Sequence, residues 1–450
     1  MIVAKFGGTS VADADAIRRL ITIVHSRIHC QPVVVVSALA QVTDNLLGLT
    51  GRCGSGDAVG LDASVAELLE RHAQLARALP GCSTAIDHIA DDAAALRREV
   101  GAARDRRLSP AELDAVAARG EIWSSRLVAA ALAGAGVDAA WVDIRPIMIT
   151  DGRFGRATPY TQVLNKRARD QLTLLAKAGR VSVTQGFIGA TATGVPTTLG
   201  RGGSDFTAAL LGAALEAERV EIWTDVDGLM TADPRIVPSA RTLRAASYDE
   251  AAELATFGAR ILHPATALPL VRAGIPIVIL NSRHPERPGT TIGPQAELER
   301  VGDSPIRSIS WKQGITVVNI RAPRMLGTYG FLRALFEVFE RHETAVDVLA
   351  SGEVSISITI EDSSRLDLIV RDLEQLGDVW VEEGRAIVAV VGIGLRHTPG
   401  LAGRVFNAVW PANVEIISQG ASAINMTFVV REEEGPDVVR RLHQEFFGSC

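Results

Sequence analysis

The chain has only four cysteines in 450 residues, Cys30, Cys53, Cys82 and Cys450. They are too scattered for a disulfide framework, and no C-x-x-C spacing offers a zinc site. Long hydrophobic runs are also missing. Apolar runs such as Val33-Val34-Val35-Val36 fall far short of the roughly 20 residues of a membrane-spanning helix. Positive charge is not in excess: 46 Lys and Arg against 52 Asp and Glu leave a net charge of -6 and a pI near 5.9, which argues against a nucleic-acid-binding surface. The first apolar run is interrupted by Lys5 and no basic stretch precedes it, so a secretory signal is not expected. Neither G-x-G-x-x-G nor G-x-x-x-x-G-K-[ST] occurs, which speaks against a dinucleotide fingerprint and against a P-loop. These absences point to a cytoplasmic protein that binds neither nucleic acid nor membrane.

The length calls for two or three domains. In the first part, strand-like runs at 2–6, 33–37, 139–144, 181–185, 219–224 and 276–280 alternate with helical stretches such as 11–27, 163–177 and 206–217. This alternation predicts a mostly parallel sheet covered by helices on both faces. Residues from about 50 to 135 read as an inserted helical subdomain. A change of texture at 283–304 reads as a linker. Beyond it the units shorten to strand–helix–strand–strand–helix–strand order, and a repeat emerges. Gly330-Phe331-Leu332-Arg333-Ala334-Leu335-Phe336 matches Gly400-Leu401-Ala402-Gly403-Arg404-Val405-Phe406 at an offset of 70, and Asp347 and Gly352 match Glu415 and Gly420 at an offset of 68. A period this long means two duplicated α+β modules.

Two glycine-rich turns follow strand-like residues and run into helices: Lys5-Phe6-Gly7-Gly8-Thr9-Ser10, and Leu199-Gly200-Arg201-Gly202-Gly203-Ser204-Asp205. Such turns aim backbone N–H groups outward, and a following helix adds the positive end of its dipole. Two anion cradles in one domain suit phosphoryl transfer, with Lys5 neutralising charge on the transferring group. A lone lysine at a turn is more often a surface residue; Gly7-Gly8 beside it reverses that preference. Arg201 has the planar fork that suits a carboxylate. Ser204 and Asp205 fit simple helix capping equally well. Glu121, in Arg119-Gly120-Glu121, is expected to open a helix, either as an exposed dipole match or as the acceptor of a substrate ammonium. Trp223-Thr224-Asp225 leaves a strand at its carboxyl end, where ligands of open α/β sheets bind, and Arg235 follows it; a turn rich in Asp and Gly explains the same run. Arg260 is expected in the first turn of a helix, where a cation is costly unless an anion arrives, and His263 reads as structural. No protein metal site is expected.

Six ordered blocks carry a resemblance that covers essentially the whole chain. They are the Lys5–Ser10 start, Arg119-Gly120-Glu121, Thr184-Gln185-Gly186-Phe187, Thr198–Asp205, Trp223-Thr224-Asp225-Val226 and Phe257-Gly258-Ala259. Together they resemble the aspartate kinases of the amino-acid kinase family, most of all the monofunctional, lysine-inhibited type. The resemblance implies a three-layer α/β sandwich over 1–297, then two ACT domains, the first inserted into the second: a linker and first ACT2 strand at 298–313, ACT1 at 314–385 and the rest of ACT2 at 386–450. It implies transfer of the γ-phosphoryl group of ATP, with Mg2+ held chiefly by ATP oxygens and water, to the β-carboxylate of L-aspartate, the first step toward lysine, threonine and methionine.

By the same resemblance, Lys5, Gly8 and Asp205 serve catalysis, and Ser37, Thr43, Glu121, Arg201, Gly202, Gly203 and Ser204 bind aspartate. Lys5, Phe6, Gly7, Gly8, Thr224, Asp225, Met230, Arg235, Arg260 and Ile261 line the nucleotide. Met325, Thr328, Gly330, Phe331, Leu332, Val346, Asp347, Gly352 and Glu353 hold an allosteric effector, lysine ahead of threonine and of no effector. Departures from the family pattern are Arg260 for lysine, Met230 for tyrosine, Arg119 for histidine, Gly352 for serine and Gly327 for histidine. A homodimer through the ACT domains is implied, with a tetramer as the further option. A fused homoserine dehydrogenase is not expected. The competing readings are a catalytically silent amino-acid sensor and a kinase for another acidic amino acid.

Overall fold

In the computed structural model the described residues are 1–50, 58–103, 106–257, 264–294, 305–325 and 329–448. They divide into two compact units, Met1–Leu229 with Arg244–Tyr248 and Leu262–Glu297, and Met230–Leu243 with Asp249–Ile261 and Leu298–Cys450.

The first unit runs β1 Ile2–Phe6, α1 Ala14–Arg27, β2 Pro32–Val36, α2 Val42–Thr50, α3 Ala58–Ala78, α4 Ser83–Ala102, α5 Pro110–Gly134, β3 Ala139–Val142, α6 Thr161–Lys177, β4 Val181–Gln185, β5 Ile188–Ala190, β6 Pro196–Thr198, α7 Gly203–Ala214, β7 Val220–Thr224, β8 Ala245–Ala246, then, after α8 Tyr248–Thr256, α9 Pro264–Ala273, β9 Ile277–Asn281 and β10 Thr290–Ile292. Among the described residues eight of these strands form a sheet of order β3-β4-β2-β1-β7-β9-β10-β8, parallel except where β10 meets β9, while β5 and β6 pair antiparallel in a separate two-stranded sheet. β1 and β2 are buried along their whole length, as strands covered on both faces must be. β1, β2, β3, β4, β7 and β9 fall within two residues of their expected limits, while β5, β6, β8 and β10 were not expected. The insertion is helical, with α5 started by a capping box between Ser109 and Glu112.

In the second unit β11 Ile306–Arg321, α10 Phe331–Arg341, β12 Leu349–Ser351, β13 Ser355–Ile360, α11 Leu366–Leu373, β14 Asp378–Gly392, α12 Leu401–Val409, β15 Ile416–Gln419, β16 Asn425–Arg431 and α13 Gly435–Phe447 follow one another. The sheet order is β12-β13-β11-β14-β16-β15. Residues 316–321 of β11 pair with β13, while β11 runs beside β14 from Ile306 to Arg321 with register shifts between Lys312 and Val317. The duplication read from the sequence has a structural signature: Gly330 and Gly400, at φ +86 and +76, cap α10 and α12 in the same left-handed conformation.

Residues 230–243 and 249–261 cluster with the C-terminal part, for a reason visible in their side chains. Ala232 and Val237 are buried in one apolar cluster with Ile309, Val388, Phe428 and Leu442. Thr231 accepts a backbone bond from Ile309 and meets His443 Nε2 at 3.0 Å, and Glu250 forms a buried ion pair with Arg307 at 3.1 Å.

Candidate active site

β1 places Lys5 in register with Val35 of β2 and Ile222 of β7. A lysine in the middle of an apolar strand needs a counter-charge, and Lys5, only 8% exposed, finds it at Asp205 Oδ1, 2.6 Å from Nζ. Asp205 is the third residue of α7, where the helix dipole favours an anion. The turn before α7 passes through Gly200 and Gly202 at φ +79 and +70, a conformation that favours glycine. α7 therefore begins at Gly203, three residues earlier than expected, with Gly202 as its cap and no side-chain capping bond. Ser204 and Asp205 lie inside the first turn and do not cap it. Arg201 stands exposed on this turn.

Glu121 requires a correction. It does not open a helix: it lies mid-way along α5, 4% exposed. Gly120 before it lets the helix approach the 37–43 loop, since a Cβ there would lie 2.9 Å from the Ala38 Cβ. Glu121 Oε1 accepts the Ala38 N–H at 3.2 Å, and Oε2 is buried with no hydrogen-bond partner. Burial pushes the Glu121 carboxyl up to about 8, against the smaller opposing effect of the Ala38 bond.

These groups meet in one cleft of about 710 Å³, lined by Lys5, Gly8, Ser37, Thr43, Glu121, Arg201, Gly202, Gly203, Ser204 and Asp205. Every residue the resemblance gave to catalysis and aspartate binding lines it. A cation, a buried carboxyl with one unpartnered oxygen and an exposed guanidinium around one space suit a small zwitterion with an acidic side chain.

Residues 1–281 match the model of the amino acid kinase family and residues 388–446 that of an ACT domain. The lysine-sensitive aspartokinase 3 of Escherichia coli is 37% identical, with 99% of each chain covered. The aspartokinase of Schizosaccharomyces pombe is 31% identical over 99% of this chain and 92% of its own. The chain belongs to the aspartokinases of the amino acid kinase family. Among solved structures, E. coli aspartokinase III in complex with lysine and aspartate superposes with a TM-score of 0.84 at 37% identity, covering 99% of both chains. The same enzyme with aspartate and ADP gives 0.82 at 36% identity, covering 99% of this chain and 100% of that one.

The nucleotide residues expected in this aspartokinase are less gathered. Phe6 has its side chain in the core, stacked on Trp223 at 5.9 Å, so it can offer a ligand only its backbone. Gly7 donates its N–H to Trp223 O at 3.1 Å, and Thr224 donates to the exposed Asp225 at 3.3 Å. Met230 and Arg235 fall in the second unit. There the Met230 carbonyl accepts from Ser308 Oγ at 2.6 Å and Arg235 pairs with Asp233 at 2.7 Å. Arg260 and Ile261 lie outside the described residues.

Of the expected effector residues, Gly330, Phe331 and Leu332 form the start of α10. Met325 and Val346 lean on the apolar cluster beneath it. The Gly352 N–H donates to Ser355 O at 2.8 Å, Glu353 is exposed, and Thr328 lies outside the described residues. Asp347 differs from expectation. Its Oδ1 is not free for an effector ammonium but bonds Lys312 Nζ at 3.0 Å, and Lys312 also reaches Glu361 at 2.8 Å; Asp347 Oδ2 is buried without a partner. Burial alone would lower the Lys312 pKa, but the contacts with Glu361 and Asp347 outweigh it and the ammonium stays charged. The second repeat does the same thing. Glu415, which matches Asp347, bonds Arg385 at 2.7 Å.

One lining residue that sequence reasoning missed is Asp114, seven positions before Glu121 on α5. Its signal was an acid on an alanine-rich helix at a spacing that shares a face with Glu121.

Proposed function

We propose that the cleft of this aspartokinase binds L-aspartate with its ammonium at Glu121 and its α-carboxylate at Arg201 and Ser204, and presents the β-carboxylate to the γ-phosphorus of ATP. The observation that carries the reading is Glu121 itself: an acid buried in a cleft with an unpartnered oxygen, costly unless a cation arrives. The β-carboxylate oxygen forms the new P–O bond as the bond to the ADP oxygen breaks, and no proton changes hands. Catalysis is then positioning and charge stabilisation. Lys5, held by Asp205, stands at the transferring group, and Gly7 and Gly8 approach its oxygens. Thr224, Asp225, Met230, Arg235, Arg260 and Ile261 are assigned to ATP by the resemblance alone. Mg2+ would be carried on nucleotide oxygens and water, where it would screen the phosphate charge.

The test is a hydroxylamine trap. ATP and L-aspartate together should give aspartyl hydroxamate, with glutamate far slower. No trapped acyl phosphate would leave a silent sensor, and equal rates on glutamate would move the specificity.

The same reading makes 1–297 the catalytic domain, with ACT2 beginning at 298–313 and resuming at 386–450 around ACT1 at 314–385. It makes lysine the regulator at ACT1, the chain a homodimer through its ACT domains, and its compartment the cytoplasm. Among the described residues no helix is long and apolar enough to cross a membrane. An effector ammonium at Asp347 must displace Lys312 or share the carboxylate with it. Lys312→Met is therefore expected to lower the lysine concentration for half inhibition by about tenfold, the scale of one charged hydrogen bond, and Asp347→Ala to abolish inhibition. Unchanged inhibition in Asp347→Ala would place the effector elsewhere.

A further inference from the structure

Asp114 is 4% exposed and lines the same cleft as Glu121. Seven residues along a helix are two turns, about 10.5 Å, so α5 turns Asp114, Ala117 and Glu121 toward one space. Among the described residues Asp114 forms no ion pair. Its carboxylate is held instead by donors from two other segments. The Gly155 N–H reaches Oδ1 and Oδ2 at 3.0 and 2.9 Å. The Thr198 N–H reaches Oδ2 at 2.8 Å and the Thr198 hydroxyl reaches Oδ1 at 2.9 Å.

Both segments belong to the cleft wall. Phe154 and Gly155 line it, and Thr198 ends β6 just before the turn that carries Arg201. The two segments also touch: a Cβ on Gly200 would lie 3.0 Å from the Gly155 carbonyl oxygen. One carboxylate thus ties the helix that bears Glu121 to the turn that bears Arg201, with the 153–156 loop clamped between them.

We infer that Asp114 is a positioning residue that sets the separation between the ammonium-binding and carboxylate-binding ends of the amino-acid subsite. The inference rests on the reading of the cleft as an aspartate site. A buried acid that merely closes a loop would be needed for stability and nothing else. A positioning acid predicts a selective loss. Without it Glu121 stays on α5 and Lys5 stays on β1, so nucleotide binding and the chemical step persist while the two grips on aspartate lose their spacing. Asparagine is the informative replacement, because its shape is retained while its amide hydrogens face the Gly155 and Thr198 donors.

The experiment is steady-state kinetics on the full-length protein, varying aspartate at saturating ATP and ATP at saturating aspartate, with thermal melting of each variant. Asp114→Asn is expected to raise the aspartate KM by about tenfold or more, with kcat and the ATP KM changed by less than about threefold. Thr198→Val removes only the hydroxyl donor and is expected to move the aspartate KM the same way by a smaller factor; it decides the matter if Asp114→Asn does not fold. An unchanged aspartate KM in a folded variant overturns the inference. So does a parallel loss of kcat and both KM values with a lowered melting temperature, which is what loop closure alone would give. If the wild-type protein traps no aspartyl phosphate, the reading of the cleft fails first; if it does and Asp114→Asn keeps its aspartate KM, only the positioning role fails.

Discussion

Replacing Lys5 by Met will lower kcat for aspartyl phosphate formation by about 10³–10⁴-fold, the scale of losing one preorganised cation at a transferring phosphoryl group. The side chain is buried in the cleft wall and fixed by Asp205 at 2.6 Å. Met keeps the aliphatic stem and deletes only the charge. Asp205 then loses its counter-ion, so the variant will also melt earlier. A Lys5→Met, Asp205→Asn double variant separates the two effects: it should regain melting temperature without regaining turnover. Coupled measurement of ADP release and a thermal melt check both. A single variant within tenfold of wild-type kcat would remove Lys5 from the phosphoryl site.

Glu121→Gln is expected to lose aspartate affinity and to gain stability. The Glu121 carboxyl titrates near 4.5 in an unfolded chain and near 8 when folded, so the folded state prefers it protonated. The sign follows directly: this preference supports the fold fully below about pH 4.5 and is lost as pH rises through 8. Glutamine has no charge to bury, so its melting temperature should exceed the wild type by a growing margin from pH 5 to 8, on the order of a few degrees. Binding runs the other way. A substrate ammonium needs the charged form, so the wild-type aspartate KM should fall about tenfold per pH unit on approach to 8 and then level. In Glu121→Gln that slope should vanish and the KM stay high. A variant that keeps both the slope and the wild-type KM would show that the ammonium docks elsewhere.

Much of the catalytic fold was legible because its signals are local. Apolar runs such as Val33–Val36 form β2 in the interior of the sheet, and Gly200 and Gly202 before α7 take the left-handed conformation that favours glycine. The repeat was legible too, since Gly330 and Gly400 are required by the same cap. What escaped was set by packing between distant segments. The sequence leads one to expect Glu121, in Arg119-Gly120-Glu121, at a helix start. In the fold Gly120 instead makes room for Ala38, a neighbour 82 residues away in sequence. Asp114 carries no motif, and its importance comes from Gly155 and Thr198 reaching it from other loops. The Asp347–Lys312 pair depends on β11 passing the end of the first repeat. The run from Trp223 to Arg235 reads as a turn rich in Asp and Gly, and nothing local announces that Ala232, with Ile236 and Val237 just beyond, packs in the apolar cluster of the second unit.

The long strands β11 and β14 have a mechanical consequence. Each serves both repeats and each is hydrogen-bonded to the other over nearly its full length. Neither repeat can be excised without severing backbone that belongs to its twin, and a cut would bare an edge ready to recruit foreign chains. Their mutual register slips between Ile306 and Ser308 and again between Lys312 and Val317. The second slip lies beside Lys312, the residue that holds Asp347.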